Sequence, residues 1–230
     1  MWLWLGVVAL VVAGGAAAFV AKRSATSSAT SQGSDESQSV DMNEEAWEIV
    51  EQEGAALAVP KDWDNLDRFS PQVLVFRKSN GKGGIPATDE AGAPLQAQMI
   101  LEYIRMDPSL QDSANVVADR ILKTPQTDIS VRPTGEMFKL SDGTEAFFMS
   151  VEIIKDGKER ELMLKLLAKK DAQNGFVVTG SITANKESQI ATATSKQGQW
   201  LKTLVRSLVL DPSKLDKRAV HNAYVERDKR

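Results

Sequence analysis

Large apolar residues fall in three regimes along the chain. From Trp2 to Ala21 they form a run unbroken by charge, from Ser24 to Val40 they all but vanish, and from Ala55 onward they recur at intervals of two or of three to four. The first regime, as a helix rising about 1.5 Å per residue, spans the roughly 30 Å hydrocarbon layer of a bilayer. Trp2 and Trp4 sit at one boundary of this run and Lys22-Arg23 at the other, as interfacial aromatics and flanking cations do. A cleaved signal peptide is the competing reading, because Ala16-Ala17-Ala18 resembles a cleavage site, but no basic residue precedes the apolar run. A retained anchor fits better. The positive-inside bias of Lys22 and Arg23 then puts the following domain in the cytoplasm, with an extracytoplasmic domain as the alternative. Gly14 and Ala18, like Ala13 and Ala17, have the small-xxx-small spacing that lets two membrane helices approach, so a homodimer through this face is the corresponding expectation.

The second regime reads as a flexible tether: Ser, Thr, Gln and Gly offer nothing to bury against the entropy of ordering. Between Ser24 and Pro60 stand Asp35, Glu36, Asp41, Glu44, Glu45, Glu48, Glu51 and Glu53 with no basic residue, which disfavours adhesion to an anionic lipid surface.

The third regime alternates between strand and helix periods. Asn43–Gln52 predicts a short helix, with Trp47 and Val50 three apart, early carboxylates and Gly54 as its stop. Strands are expected at Ala55–Val59, Val73–Arg77, Gln96–Met106, Ile129–Leu140, Glu145–Lys155, Arg160–Lys170 and Gly175–Thr183. Pro60 to Asp64 reads as a turn, and Ser79–Pro94 as a long loop rich in turn formers. Asp156-Gly157 between two strand-like runs is the strongest hairpin signal. On Glu145–Lys155, Phe147, Met149, Val151 and Ile153 fall on one face. A helix capped by Asp112 is expected over Ser113–Lys123, stopped by Pro125. Another is expected over about Glu187–Val209, carrying Leu201, Leu204, Val205 and Leu208 as a stripe. The chain thus divides into an anchor over 1–23, a disordered acidic Ser/Thr-rich linker over 24–45, an α+β domain over 46–212 and a charged, weakly structured tail over 213–230. Successive antiparallel strands with helices at the edges of the run exclude a regularly alternating Rossmann sheet.

Composition sharpens the functional picture mainly by exclusion. A net charge of −3 lacks the basic excess on which nucleic-acid binders depend. The absence of cysteine removes disulfides, thiolate nucleophiles and thiolate metal sites. Gly81-Lys82-Gly83-Gly84 lacks the Lys-Ser/Thr ending and the following helix of a phosphate-binding loop. His221, the only histidine, lies in the polar tail and is expected to be exposed, without partners for a metal or a nucleophile. Glu102, Glu145 and Glu152 fall on expected strands and are the residues from which a carboxylate-dependent hydrolase would be built. Trp63 and Trp200 are candidates for core packing or for partner anchors. No catalytic, cofactor-binding or metal-binding residue, and no cofactor, is assigned.

An early strand running into a Pro-x-x-Trp turn (Pro60, Trp63), a strand and helix, an antiparallel meander, and a closing helix with Trp200, Leu201, Leu204 and Leu208 resemble, in order and spacing, the PsbP-like superfamily. The resemblance covers about residues 54–209, and the Gly-rich stretch at 79–94 departs from it. It implies an α+β sandwich and a non-catalytic module for partner binding, assembly or chaperone-type work, and it supplies no catalytic residues. The expected function is therefore a membrane-tethered protein-interaction domain, with a small-molecule or lipid-binding domain as the alternative and a hydrolase behind both. The full chain is expected to remain in the membrane pellet through alkaline carbonate extraction, and deletion of residues 1–23 to release it. A mature N-terminus beginning near Phe19 would instead mean cleavage.

Overall fold

The computed structural model describes residues 47–61, 63–70, 72–78, 85–123 and 127–228. The expected anchor with Gly14, Ala18, Lys22 and Arg23, the linker, the start of the helix expected from Asn43, the Lys82 loop and Pro125 lie outside them. Among the described residues no helix is long and apolar enough to cross a membrane.

The architecture is α+β. Strands β1 (Trp47–Gln52) and β2 (Ala55–Pro60) form a separate two-stranded hairpin. The main sheet contains β3 (Trp63–Ser70), β4 (Val73–Lys78), β5 (Gln96–Arg105), β6 (Thr127–Lys139), β7 (Glu145–Lys155), β8 (Glu159–Lys169) and β9 (Asn174–Asn185). Its order is β3-β4-β5-β9-β8-β7-β6, with every neighbouring pair antiparallel. After β5 the chain passes through α1 (Leu110–Leu122) to the far edge, then meanders back until β9 pairs with β5. Register is unbroken through the interior pairs, whereas it shifts between Leu66 and Ser70 at the β3 edge and twice between Ile129 and Thr134 at the β6 edge.

Alternation along the strands gives the sheet two apolar faces. Phe147, Met149, Val151 and Ile153 of β7 pack with Ala114 and Ile121 of α1, as their spacing predicts. The larger core lies on the opposite face, where α2 (Lys196–Val205) places Trp200, Leu201, Leu204 and Val205 over Phe148, Leu164, Leu166 and Val178. Gly180 of β9 permits this contact: a Cβ there would lie 2.6 Å from Val205 Cγ2 and 3.1 Å from Leu201 Cγ. The hairpin closes the far side of α2, with Ala56 and Val209 exchanging two backbone hydrogen bonds of 2.9 Å.

Several local expectations are corrected. The segment read as a helix over Asn43–Gln52 is, from Trp47, a strand. Glu53 and Gly54, at φ +50° and +76°, make a two-residue turn that pairs Gln52 with Ala55. All six residues of β2 are buried, so its backbone needs a ladder partner, and β1 supplies one. The turn expected over Pro60 to Asp64 is shorter, since β2 runs to Pro60 and β3 begins at Trp63. Helix α1 begins before the expected Asp112 cap: Ser109 is the N-cap, its Oγ accepting from the Asp112 N–H at 2.9 Å. The last long helix is shorter than Glu187–Val209, because Ser195 caps α2 through the Gly198 N–H at 2.9 Å and Val209 is taken up by its bridge to Ala56. The tail carries α3 (Lys217–Asp228), with Val220 and His221 buried, so His221 is not the exposed residue its polar neighbours suggest.

Asp142, in the turn between β6 and β7, ties that turn to the chain leaving α2. Its carboxylate accepts from the N–H groups of Thr144, Leu210 and Asp211. Burial alone would raise its pKa, but these bonds to the ionised form outweigh burial and hold it below the usual carboxylate range. Because the folded-state value is the lower one, the stabilisation is present at neutral pH and is lost as pH falls through the folded pKa. Asp142→Asn is therefore expected to be less stable than the parent in urea at neutral pH, the two denaturation midpoints converging in acid. Gly180→Ala is expected to lower the unfolding free energy by about 1–3 kcal/mol through overpacking against Val205, read as a reduced midpoint in the same denaturation.

Candidate functional site

The residues singled out in the sequence do not assemble into one centre. Trp63 and Trp200 meet in the core, each 5% exposed, with ring centroids 6.2 Å apart. Glu152 belongs to the α2 side of β7, as its neighbour at alternate spacing, Phe148, does, whereas Glu102 and Glu145 fall on the α1 side. Those two are separated by the three pairings β5–β9–β8–β7. At a strand spacing of roughly 4.8 Å this is about 14 Å, beyond the roughly 5–9.5 Å at which two carboxyl groups cooperate in glycoside cleavage. Glu152 instead braces the structure, since its Oε1 accepts from the Ala193 N–H at 2.9 Å and its Oε2 pairs with Arg160 at 3.3 Å. Among the described residues no three metal-ligating side chains come together.

The charged and apolar groups that do converge lie where α2 crosses β6 and β7. Lys202 and Arg206, one helical turn apart, stand on the polar flank of the Trp200–Leu204 stripe and reach toward β6. Arg206 is ion-paired with Glu136, and its guanidinium lies 4.2 Å from the ring centre of Phe138 and 4.8 Å from that of Phe148. Lys202 sits 5.1 Å from the Phe148 ring centre and a longer 3.9 Å from Glu136. Glu136 and Phe138, at alternate spacing with Met137 between them, therefore meet the two cations with one carboxylate and one aromatic face. The only sequence sign of this cluster is the i, i+4 pair of cations beside an apolar stripe; nothing local in β6 marks Glu136 as its partner.

Beside the cluster opens a cavity of about 310 Å³ lined by Gly135, Glu136, Phe148, Ser150, Leu164, Ala193, Gly198, Gln199 and Lys202. One wall is the 188–195 segment, which the Glu152 bond to Ala193 and the Ser195 cap hold in place. Gln199 Nε2 donates to the Ala193 carbonyl and adds a second tie. A smaller cavity of about 220 Å³, on the other side of Arg206, lies among Ser141, Thr203, Ser207, Asp216, Ala219 and Val220. The lining of the larger cavity carries one cation, Lys202, and one carboxylate, Glu136, whereas Arg206 lines the smaller one.

The other face of the sheet holds a half-buried cation. Lys165, between Leu164 and Leu166 of the α2 core, points to the α1 side and donates to Thr179 Oγ1 at 2.8 Å. Burial lowers its pKa, while Glu102 and Glu161 act in the opposite direction. Glu161, itself 3% exposed, is ion-paired with Lys155.

No protein-family model and no curated protein matches this sequence. Solved structures do. The solution structure of cyanobacterial PsbP (CyanoP) from Synechocystis sp. PCC 6803 aligns with a TM-score of 0.45 at 16% identity, covering 77% of this chain and 97% of that one. The crystal structure of LpqN, described as involved in cell envelope biogenesis of Mycobacterium tuberculosis, aligns with a TM-score of 0.43 at 16% identity, covering 67% of this chain and 82% of that one. At such identities and TM-scores the likeness says nothing of function.

Proposed function

We propose that the folded unit is a non-catalytic recognition domain, held at a membrane by residues 1–23 through the linker of 24–45, that binds a protein partner in assembly or chaperone-type work. The observation that carries this reading is the use to which the fold puts its buried acids. The three buried carboxylates among the described residues, Asp89, Glu152 and Glu161, each hold structure. Asp89 accepts from the N–H groups of Ala91, Ala93 and Asn185, Glu152 from Ala193, and Glu161 is paired with Lys155. Groups engaged in this way fix loops and strand ends; they build a rigid surface rather than a proton-transfer pair. The separation of Glu102, Glu145 and Glu152 makes a carboxylate-dependent hydrolase the weaker reading. The bias of Lys22 and Arg23 supports a cytoplasmic position for the domain.

Chemical crosslinking of intact membranes containing the full chain, followed by mass spectrometry, tests this directly. Crosslinks from lysines of the folded unit to one other protein are expected, and they should disappear when residues 54–210 are exchanged for an unrelated domain behind the same anchor. The same crosslinked protein recovered after that exchange would assign binding to the anchor or linker and end the proposal.

A further inference from the structure

We infer that the outer edge of β1 is a docking site for an extended, basic segment of a partner protein, which adds to the hairpin as a third strand. The inference rests on the partner-binding reading and deepens it by naming a surface and the chemistry that fits it. Its basis is the register of the hairpin. A two-residue turn makes the flanking residues, Gln52 and Ala55, a hydrogen-bonded pair, and such pairs recur at every second residue, at Val50–Leu57 and Glu48–Val59. The N–H and C=O groups of Trp47, Ile49 and Glu51 therefore point away from β2. On β2 the corresponding outward groups are taken up: Ala56 exchanges two bonds with Val209, and the Ala58 N–H donates to Ser207 Oγ at 2.9 Å. On β1, Ile49 and Glu51 have no such partner among the described residues, where β2 is the one strand paired with β1.

This edge differs from the two rims of the main sheet. The β1–β2 register runs without a shift from Trp47–Pro60 to Gln52–Ala55, whereas the pairings of β3 and β6 are irregular. A regular, unpaired edge is the template to which an extended peptide adds through main-chain hydrogen bonds. Side chains then select the occupant. Glu48 and Glu51 are exposed, enter no ion pair among the described residues and, three apart on a strand, stand on opposite faces of the ribbon. No basic residue occurs between Ser24 and Pro60 to offset them, and Lys170, at the turn, donates to the Glu53 carbonyl. Two copies meeting at this edge would bring like charges together. A segment with cations three residues apart instead places one opposite each carboxylate. Ile49 and Val50, both half-buried, offer apolar contact between the two charges.

The test is amide hydrogen exchange of the full chain in lipid nanodiscs at neutral pH, read by NMR, with acetyl-VTKVTKVT-amide and acetyl-VTEVTEVT-amide as probes. Without peptide, Ile49 and Glu51 are expected to exchange about tenfold or more faster than Glu48 and Val50, whose N–H groups face β2. The basic peptide should slow Ile49 and Glu51 saturably, and the acidic peptide should bind about tenfold or more weakly. Glu48→Lys combined with Glu51→Lys should reverse that preference. Glu51→Pro removes an outward donor and no β1–β2 bond, so it should weaken the basic peptide further than Glu51→Gln, which removes the charge alone. Absence of binding, equal binding of the two peptides, or binding that leaves Ile49 and Glu51 unprotected would overturn the proposal. Protection of both amides without peptide would also overturn it: rising with protein concentration, it assigns the edge to a second copy, and independent of concentration, to the protein's own chain. Should Glu51→Pro fail to fold, the charge reversal still decides. Loss of the peptide site with the membrane crosslinks retained would overturn this surface and leave the partner-binding reading standing.

Discussion

The close approach of α2 to the main sheet over Gly180 is the constraint from which most of the structure follows. With no side chain at that point on β9, the helix settles until Leu201, Leu204 and Val205 have no exposed surface. Burial of that stripe contributes on the order of 1.5–3 kcal/mol for each fully buried side chain. It also fixes what lies around it. The β1–β2 hairpin can close only because Val209 emerges from the end of α2 in register with Ala56, and Lys202 and Arg206 reach Phe148 and Phe138 only because the helix axis lies so near the strands.

Around this contact the protein uses carboxylates to join segments that are distant in sequence. Asp142 grips the backbone after α2, Glu152 the segment before it, and Asp89 the end of β9. Each gathers backbone N–H groups that would otherwise lack partners, and hydrogen bonds to an ionised acceptor are stronger than neutral ones. Both ends of α2 are thereby fastened to the β6–β7–β8 part of the sheet by groups outside the helix itself. The cavity beside Lys202 owes its definite shape to these attachments, since its walls are the fastened segments.

Much of this fold is legible in the sequence, and the exceptions have identifiable causes. The β5, β7, β8 and β9 strands read correctly because long runs of strand-forming residues are punctuated by turn chemistry, with Asp156 and Gly157 both at positive φ between β7 and β8. Trp47–Gln52 misleads because Trp47 and Val50 satisfy a helical spacing within a segment too short to distinguish three from two. The decisive signal is the Glu53-Gly54 pair, a turn whose meaning depends on a partner strand. Polar residues in Trp63–Ser70 hide β3, an edge strand with only one neighbour. At the site, Lys202 and Arg206 can be placed on a helix flank, but Glu136 is some seventy residues away and enters only through tertiary packing. His221 shows the same limit, since its burial is imposed by α3 docking and not by its polar neighbours.

The irregular pairing at both rims of the main sheet has a consequence for how copies of this protein coexist. Interior strands match residue for residue, while the two outermost ones, β3 and β6, carry the register shifts. A regular outer strand is a template on which another chain can extend the ladder, and a bulge twists that template and breaks its spacing. The irregularities therefore disfavour edge-to-edge pairing along the two rims of the main sheet.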